Sequence, residues 1–291
     1  MFVRRALRCI ADVMSKFNDR AFGIGDLRKR LYELQRQLQW QQGQLLLKSL
    51  LSEPRYSEPM RLLRYGHKVF SQGDEDGIIA EIFSRVGTDT KYFLEIGVGN
   101  GWENNTCTLL YVGWKGVWVE ASHTDVAAIK DKFADRISNG QLEVIQKFVD
   151  REYSQELMSR WPALKGIDLF SLDIDSNDYH IIDAMSDQLR ARVIVVEYNA
   201  KHRPPISWYM PYKSGHIWDG SDWFGASLTA WTELLERKGY ILVGCNIYGV
   251  NAFFVRADLV GEKFLAPFTA ENHYEPARYW IGGHLSGHPT Q

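Results

Sequence analysis

Apolar residues in this chain recur with two different periods. Ile24, Leu27, Leu31, Leu34, Leu38 and Leu45 fall at three- and four-residue steps, with Gln41 the polar exception and Arg, Lys, Gln and Glu between them. That is an a/d heptad seam, narrow and flanked by charge, and it predicts a helix that self-associates through residues 24–48. Glu53-Pro54 and Glu58-Pro59 interrupt the pattern and read as a linker. Beyond about Gly66 the period changes. Short apolar runs alternate with helical stretches: KYFLEIGV, GVWVEA, LEVIQKFV, IDLFSLDID and ARVIVVEYNA read as strands. Residues 104–111, 123–136, 154–161 and 179–189 read as the helices between them. Such alternation predicts a parallel sheet covered on both faces.

The rhythm then breaks. After a helix over residues 225–238 come GYILVGCN and VNAFFVR, separated by little more than Tyr248-Gly249. A connection so short cannot make a parallel crossover, so these two strands pair as an antiparallel hairpin. The expected fold is therefore α/β: a three-layer Rossmann-like sandwich of the methyltransferase type, with seven mostly parallel strands and a C-terminal antiparallel hairpin. An N-terminal helical, coiled-coil segment precedes it. Residues 1–60 form the oligomerisation segment and linker, and residues 61–291 form the catalytic domain.

Composition adds exclusions. The chain has 291 residues, 45% hydrophobic and 24% charged, and a formal net charge of -2, which gives no electrostatic reason to expect nucleic acid. Cys9, Cys107 and Cys245 are widely spaced, with no CxxC pair, so neither a zinc site nor a disulfide framework is readable and a reducing, cytoplasmic setting is expected. No apolar run approaches the roughly 20 residues of a membrane span. The opening MFVRRALRCIADVM has the makings of a basic amphipathic helix that packs on its own protein or touches a membrane surface.

The densest chemistry lies at strand ends. Gly97, Gly99 and Gly101 follow the first strand in GxGxG spacing, where ligands of open α/β sheets bind and where a missing Cβ lets backbone approach the ligand. Glu95, two residues earlier, would oppose a pyrophosphate but suits the ammonium and sulfonium of S-adenosyl-L-methionine. Glu120 ends the second strand, where a carboxylate accepts both ribose hydroxyls. Asp150 after the third strand is a candidate for the adenine amino group. Asn104, opening the next helix, and Ser71 and Gln72, before the domain's leading helix, complete the cofactor candidates. On the acceptor side, Asp173 and Asp175 share one side of the fourth strand's end, and Glu197 and Asn199 share one side of the fifth. Asp173, Glu197 and Asn199 form an oxygen-rich set suited to Mg²⁺ or another divalent cation, with helix capping as the competing role. Methyl transfer to a hydroxyl also needs a base. His180, His202 and His216 are the candidates, with His202 favoured and Asp173 and Asp175 beside it. The aromatic stretch from Ile206 to Gly225 is long enough to be a lid or a platform for a sugar.

The motifs FSQ-x-DEDG (Phe70 to Gly77), LEIGVGNG, WKGVWVEAS, LDIDSNDY, VVEYNA, FGASL and VGCN-x-x-GVNAFFVR resemble a family of bacterial FkbM-like methyltransferases, over roughly Lys68 to Arg256. The resemblance implies a class I methyltransferase fold, S-adenosyl-L-methionine as cofactor, and an association with surface-polysaccharide or other glycan genes. The reading of the chain is an O-methyltransferase acting on a sugar or glycan hydroxyl and assembling as a homo-oligomer. A non-glycan small-molecule acceptor, or a non-catalytic cofactor-binding scaffold, is the alternative.

Overall fold

A computed structural model of the protein describes residues 23–160, 166–185 and 190–282. The opening basic segment, and the ends of the helices expected over 154–161 and 179–189, lie in part or in whole outside the described residues. The chain divides into two compact units, residues 1–50 with 280–291, and residues 51–279.

In the first unit, helix α1 (Ile24–Leu51) carries the heptad seam, and Leu27, Leu31, Leu34, Leu38 and Leu45 are each 54–70% exposed. Gly43 is its one buried residue, because a Cβ there would lie 2.6 Å from the Ile281 carbonyl oxygen. Among the described residues no helix is long and apolar enough to cross a membrane.

The second unit is built on a seven-stranded sheet. Its strands are β1 (Tyr92–Ile96), β2 (Lys115–Glu120), β3 (Leu142–Gln146), β4 (Leu169–Leu172), β5 (Val193–Glu197), β6 (Tyr240–Cys245) and β7 (Asn251–Arg256), in the order β3-β2-β1-β4-β5-β7-β6. The first five are parallel, and β7 runs antiparallel to both β5 and β6. This is the Rossmann-like methyltransferase layout that the alternation and the closing hairpin predict.

Strand residues alternate between two separate cores, as buried parallel strands require. Phe93, Trp118, Val193, Val195 and Phe253 pack with Ile78, Ile79 and Ile82 of α2 (Glu75–Val86), with α3 (Cys107–Tyr111), and with Ile129 of α4 (His123–Lys132). Leu94, Phe170, Val196 and Phe254 pack on the opposite face. Their partners there are α5 (Arg151–Arg160), α6 (Asp178–Ala184) and Trp231, Leu234 and Leu235 of α7 (Leu228–Arg237).

The Pro-rich stretch expected as a linker is tied down. Tyr56 Oη donates to Glu275 Oε2 (2.8 Å), Arg55 pairs with Glu275, and Arg61 donates to the carbonyl and side-chain oxygens of Asn272. Glu275 is fully buried, so it requires these donors.

Candidate functional site

Where β1 ends, Gly97 takes φ +84°, and a Cβ on it would fall 1.6 Å from the Asp173 carbonyl oxygen. Only glycine permits that approach. The turn is fixed from both sides: Gly97 N–H donates to Val119 O (2.9 Å), and Asp173 N–H donates to Ile96 O (3.1 Å). Gly101 (φ +86°) lets Trp118 and Phe133 close in, each 3.0 Å from where its Cβ would stand. Gly99 (φ +52°) has open space instead, and its N–H meets Glu120 Oε2 at 2.9 Å. The second oxygen of Glu120 accepts from Ser122 N–H (2.8 Å), which orients the carboxylate at the end of β2.

A cavity of about 660 Å³ opens at this edge, within the size range of small-molecule sites. One wall is Gly97, Gly99 and Glu120. Another is Lys147, Phe148 and Val149 after β3, and a third is Asp173 to Ser176 after β4. His216, Ile217 and Trp218 close it from the long aromatic loop. The expected position after the third strand was Asp150. Because β3 already ends at Gln146, the residues that reach the cavity are 147–149, and Asp150 accepts from Tyr153 N–H (2.8 Å) to start α5.

Other expected cofactor residues stand behind the cavity rather than in its lining. Glu95 is 2% exposed. Its Oε1 accepts from Asn105 N–H (2.9 Å) and Ser171 Oγ (3.1 Å), and its Oε2 from Thr106 N–H (3.1 Å) and Thr106 Oγ1 (2.5 Å). Burial nevertheless outweighs these donors and pushes its pKa up to about 7. Asn104 Oδ1 accepts from the N–H groups of Thr106 and Cys107, holding the first turn of α3. Ser71 Oγ donates to Asp76 Oδ2, the same oxygen that gathers the N–H groups of Val69, Phe70 and Ser71, and Gln72 is exposed on that loop.

Asp173, Asp175 and Glu197 do come together, each offering an oxygen within 4.8 Å of the others. Asp175 is held at φ +53°. Asp178 braces this loop by accepting from Ile174 and Ser176 N–H (2.8 Å each), and burial pushes its pKa up to about 6. Asp173 and Glu197 are driven well above the usual carboxylate range, first by burial, then by the charge of Asp175 on Asp173 and of Asp173 on Glu197. Glu197 Oε2 is buried without a hydrogen-bond partner. Asn199 does not join them as a ligand. Its amide donates to Asp222 O (2.9 Å) and Phe224 O (3.3 Å), and its Oδ1 accepts from Lys201 N–H (3.2 Å), so it ties down the long loop.

The histidines separate cleanly. His202 stacks on Trp208 (4.2 Å between centroids) outside the cavity lining; burial and then the Lys201 charge lower its pKa. His180 Nε2–H donates to the Met210 carbonyl oxygen (2.7 Å), which holds the ring against the long loop. His216 is 7% exposed, lines the cavity, and has Nδ1 2.9 Å from Ser176 Oγ. Of the loop aromatics Trp218 lines the cavity, with Nε1 donating to Ser221 O (2.7 Å), whereas Tyr209 stacks on Tyr179 at 4.1 Å.

No protein-family model matches the chain, and no curated protein matches it. Solved structures similar to it include a Staphylococcus aureus protein provisionally described as a caffeoyl-CoA O-methyltransferase (14% identity, 73% of this chain and 99% of that one, TM-score 0.46). Others are magnesium protoporphyrin IX methyltransferase from Synechocystis PCC 6803 with bound SAM (12%, 74% and 97%, TM-score 0.39) and an S-adenosylmethionine-dependent methyltransferase from Clostridium acetobutylicum ATCC 824 (12%, 61% and 88%, TM-score 0.37). At these identities the likeness is one of strand and helix arrangement alone.

Proposed function

We propose that the cavity binds S-adenosyl-L-methionine and that the protein transfers its methyl group to a hydroxyl oxygen of a sugar or glycan. The observation that carries this reading is the turn at Gly97 and Gly99, with open space at Gly99 and the Glu120 carboxylate beside it at the end of β2. That carboxylate has the position and the acceptor oxygens to hold a ribose diol. Among the described residues the lining holds a single lysine, Lys147, and no arginine, which suits a pyrophosphate poorly.

S-adenosylmethionine, bound there, supplies a methyl carbon already activated by its sulfonium. The residues have to exclude water, align the acceptor oxygen in line with the breaking C–S bond, and take the acceptor's proton. His216 replaces His202 as the base in this reading, because it is the histidine that faces the cavity. When Ser176 Oγ donates to the His216 carbonyl (3.2 Å), His216 Nδ1–H donates to Ser176 Oγ and Nε2 is left as the proton acceptor. Asp173, Asp175 and Glu197 would hold a divalent cation such as Mg²⁺, which supplies a Lewis acid for the acceptor hydroxyl; hard oxygen donors and the unpartnered Glu197 Oε2 fit that group. The exposed faces of Trp218 and Trp223 suit the apolar face of a sugar ring. The exposed leucine stripe of α1 supports self-association through residues 24–48.

Calorimetry with S-adenosylhomocysteine and with NAD tests the cofactor. The expected result is binding of the former and none of the latter, with Glu120→Gln weakening it about tenfold through lost ribose bonds. NAD binding without S-adenosylhomocysteine binding overturns the reading.

A further inference from the structure

We propose that the side-chain carbonyl of Asn251 is a fourth oxygen ligand for a divalent cation at Asp173, Asp175 and Glu197, and that Glu75 aims it there. The inference rests on the cation placed in the methyl-transfer site above and names a ligand from a strand that the acidic cluster does not include.

Glu197 is the last residue of β5 and Asn251 the first of β7, and the two are directly opposite in the antiparallel ladder. Opposed residues leave the same face of a sheet as close neighbours. Asn251 is 3% exposed, and its Oδ1 has no hydrogen-bond partner. Its Nδ2 does have one: it donates to Glu75 Oε1 at 3.0 Å. This fixes the orientation of the amide, because a flipped group would set Oδ1 against a carboxylate oxygen. Glu75 is itself fully held. Its Oε1 also accepts from Asn246 Nδ2 (2.7 Å), and its Oε2 accepts from Gly73 N–H (2.7 Å). The Asp74-Glu75-Asp76-Gly77 run and the asparagines flanking the hairpin turn thereby gain a shared role, which is to present one amide oxygen at the end of β7.

Across the ladder from that oxygen is Glu197, whose Oε2 is also buried and unpartnered. Two acceptors cannot satisfy one another, and buried polar atoms are rarely left bare. Each of these neighbouring acceptors calls for an electropositive partner on this face of the sheet. A proton on Glu197 would serve one pair of oxygens. A divalent cation would serve that pair together with Asp173 and Asp175, whose oxygens lie within 4.8 Å of a Glu197 oxygen. Three carboxylates and one neutral amide oxygen form a hard donor set of the kind that Mg²⁺ and Mn²⁺ take, with water completing the shell. Asn199, the amide nearer in sequence, is unable to fill this place because both ends of its side chain hold the 201–224 loop.

The test is Mn²⁺ titration of the full-length protein, freed of metal by chelator and then dialysed, followed by calorimetry and by the loss of the free-ion EPR signal. S-adenosylhomocysteine affinity, measured in chelator, serves as the control for folding and for the cofactor reading. One Mn²⁺ site is expected in the wild type. Asn251→Ala should weaken it about tenfold, Glu75→Gln by a smaller factor, and Asn251→Asp made together with Glu75→Gln, so that an amide N–H faces the new carboxylate, should match or tighten the wild-type site, all at unchanged S-adenosylhomocysteine affinity. Should Asn251→Ala fail to fold, the near-isosteric double variant Asn251→Asp with Glu75→Gln carries the test alone, and Mn²⁺ affinity weaker than wild type in that variant overturns the assignment. Wild-type protein that binds S-adenosylhomocysteine but no Mn²⁺ at millimolar concentration also overturns it, assigning a proton to the cluster and leaving the methyl-transfer reading intact. Equal Mn²⁺ affinity in wild type and Asn251→Ala removes Asn251 from the site. Loss of both ligands in the wild type would instead bring down the cofactor reading itself.

Discussion

Glu95 on β1 and Glu197 on β5 leave the same face of the sheet near the carboxyl ends of their strands, and both are driven upward in pKa by burial. Their surroundings are opposite. Glu95 is met by four donors from Asn105, Thr106 and Ser171, and Thr106 is braced in turn by Trp118 Nε1 at 2.7 Å. Glu197 faces Asp173 and Asp175, and one of its oxygens meets no donor. A buried carboxylate surrounded by N–H and O–H groups is a structural strut that closes the loop after β1. One surrounded by further oxygens is complete only with a cation or a proton. The two strand ends thus divide the work, the first bracing the turn that lines the cavity and the second gathering carboxyl groups beside it.

The largest effect expected from this contrast is at Glu95. Glu95→Ala strands four buried donors, and unfolding by denaturant at pH 6 should show a loss of about 4 kcal/mol. A loss below about 1 kcal/mol would mean that the donors find other partners and that the strut is not one. A slightly smaller effect follows from pH. The folded pKa of about 7 is above the ordinary value of 4.5. Glu95 therefore adds stability that is full below the ordinary value and is lost as pH rises through 7. Relative to Glu95→Gln, which does not titrate there, the wild type should lose about 3 kcal/mol between pH 4.5 and 8. Parallel stability curves for the two proteins would contradict it.

The sheet, its helices and its closing hairpin were legible because apolar runs of strand length end at glycines, and because the Tyr248-Gly249 connection is too short for a crossover. Gly97 and Gly101 were legible for the same reason: their positive φ values are conformations that few other residues adopt. What could not be read was the set of partners contributed by distant chain. Glu95 suggests an ammonium ligand until Ser171, 76 residues away, is found against it. Asn199 and Asn251 are equally plausible oxygen donors until the order β5-β7-β6 puts Asn251 opposite Glu197. His202 is closer than His216 to a strand end in sequence. The long loop reverses that order in space, because Gly225 N–H donates to Ser176 O and Asn199 N–H donates to Ala226 O, folding residues 200–226 back over the end of β4. The heptad seam was legible as a pattern, and its leucines do stand exposed on α1; a helix pattern alone does not identify the surface that covers it.

The smallest change in stability is expected at Glu197, and there its sign matters more than its size. Glu197→Gln replaces a buried carboxyl, one of three, with a neutral amide that brings an N–H₂. That amide stands beside Asp173 and Asp175 and opposite Asn251, whose Oδ1 has no donor. In chelator the variant should therefore be unchanged or up to about 1 kcal/mol more stable than wild type, since a permanently neutral group with two donors suits a buried site crowded with acceptors better than a carboxyl does. The same substitution at Glu95 puts an amide among four donors and must destabilise. Adding Mn²⁺ should then raise the melting temperature of the wild type but not of Glu197→Gln, because ligand binding stabilises only the state that binds. If Glu197→Gln instead unfolds in chelator as readily as Glu95→Gln, the two carboxylates are both struts, and the charge gathered at the end of β5 is held by the protein alone.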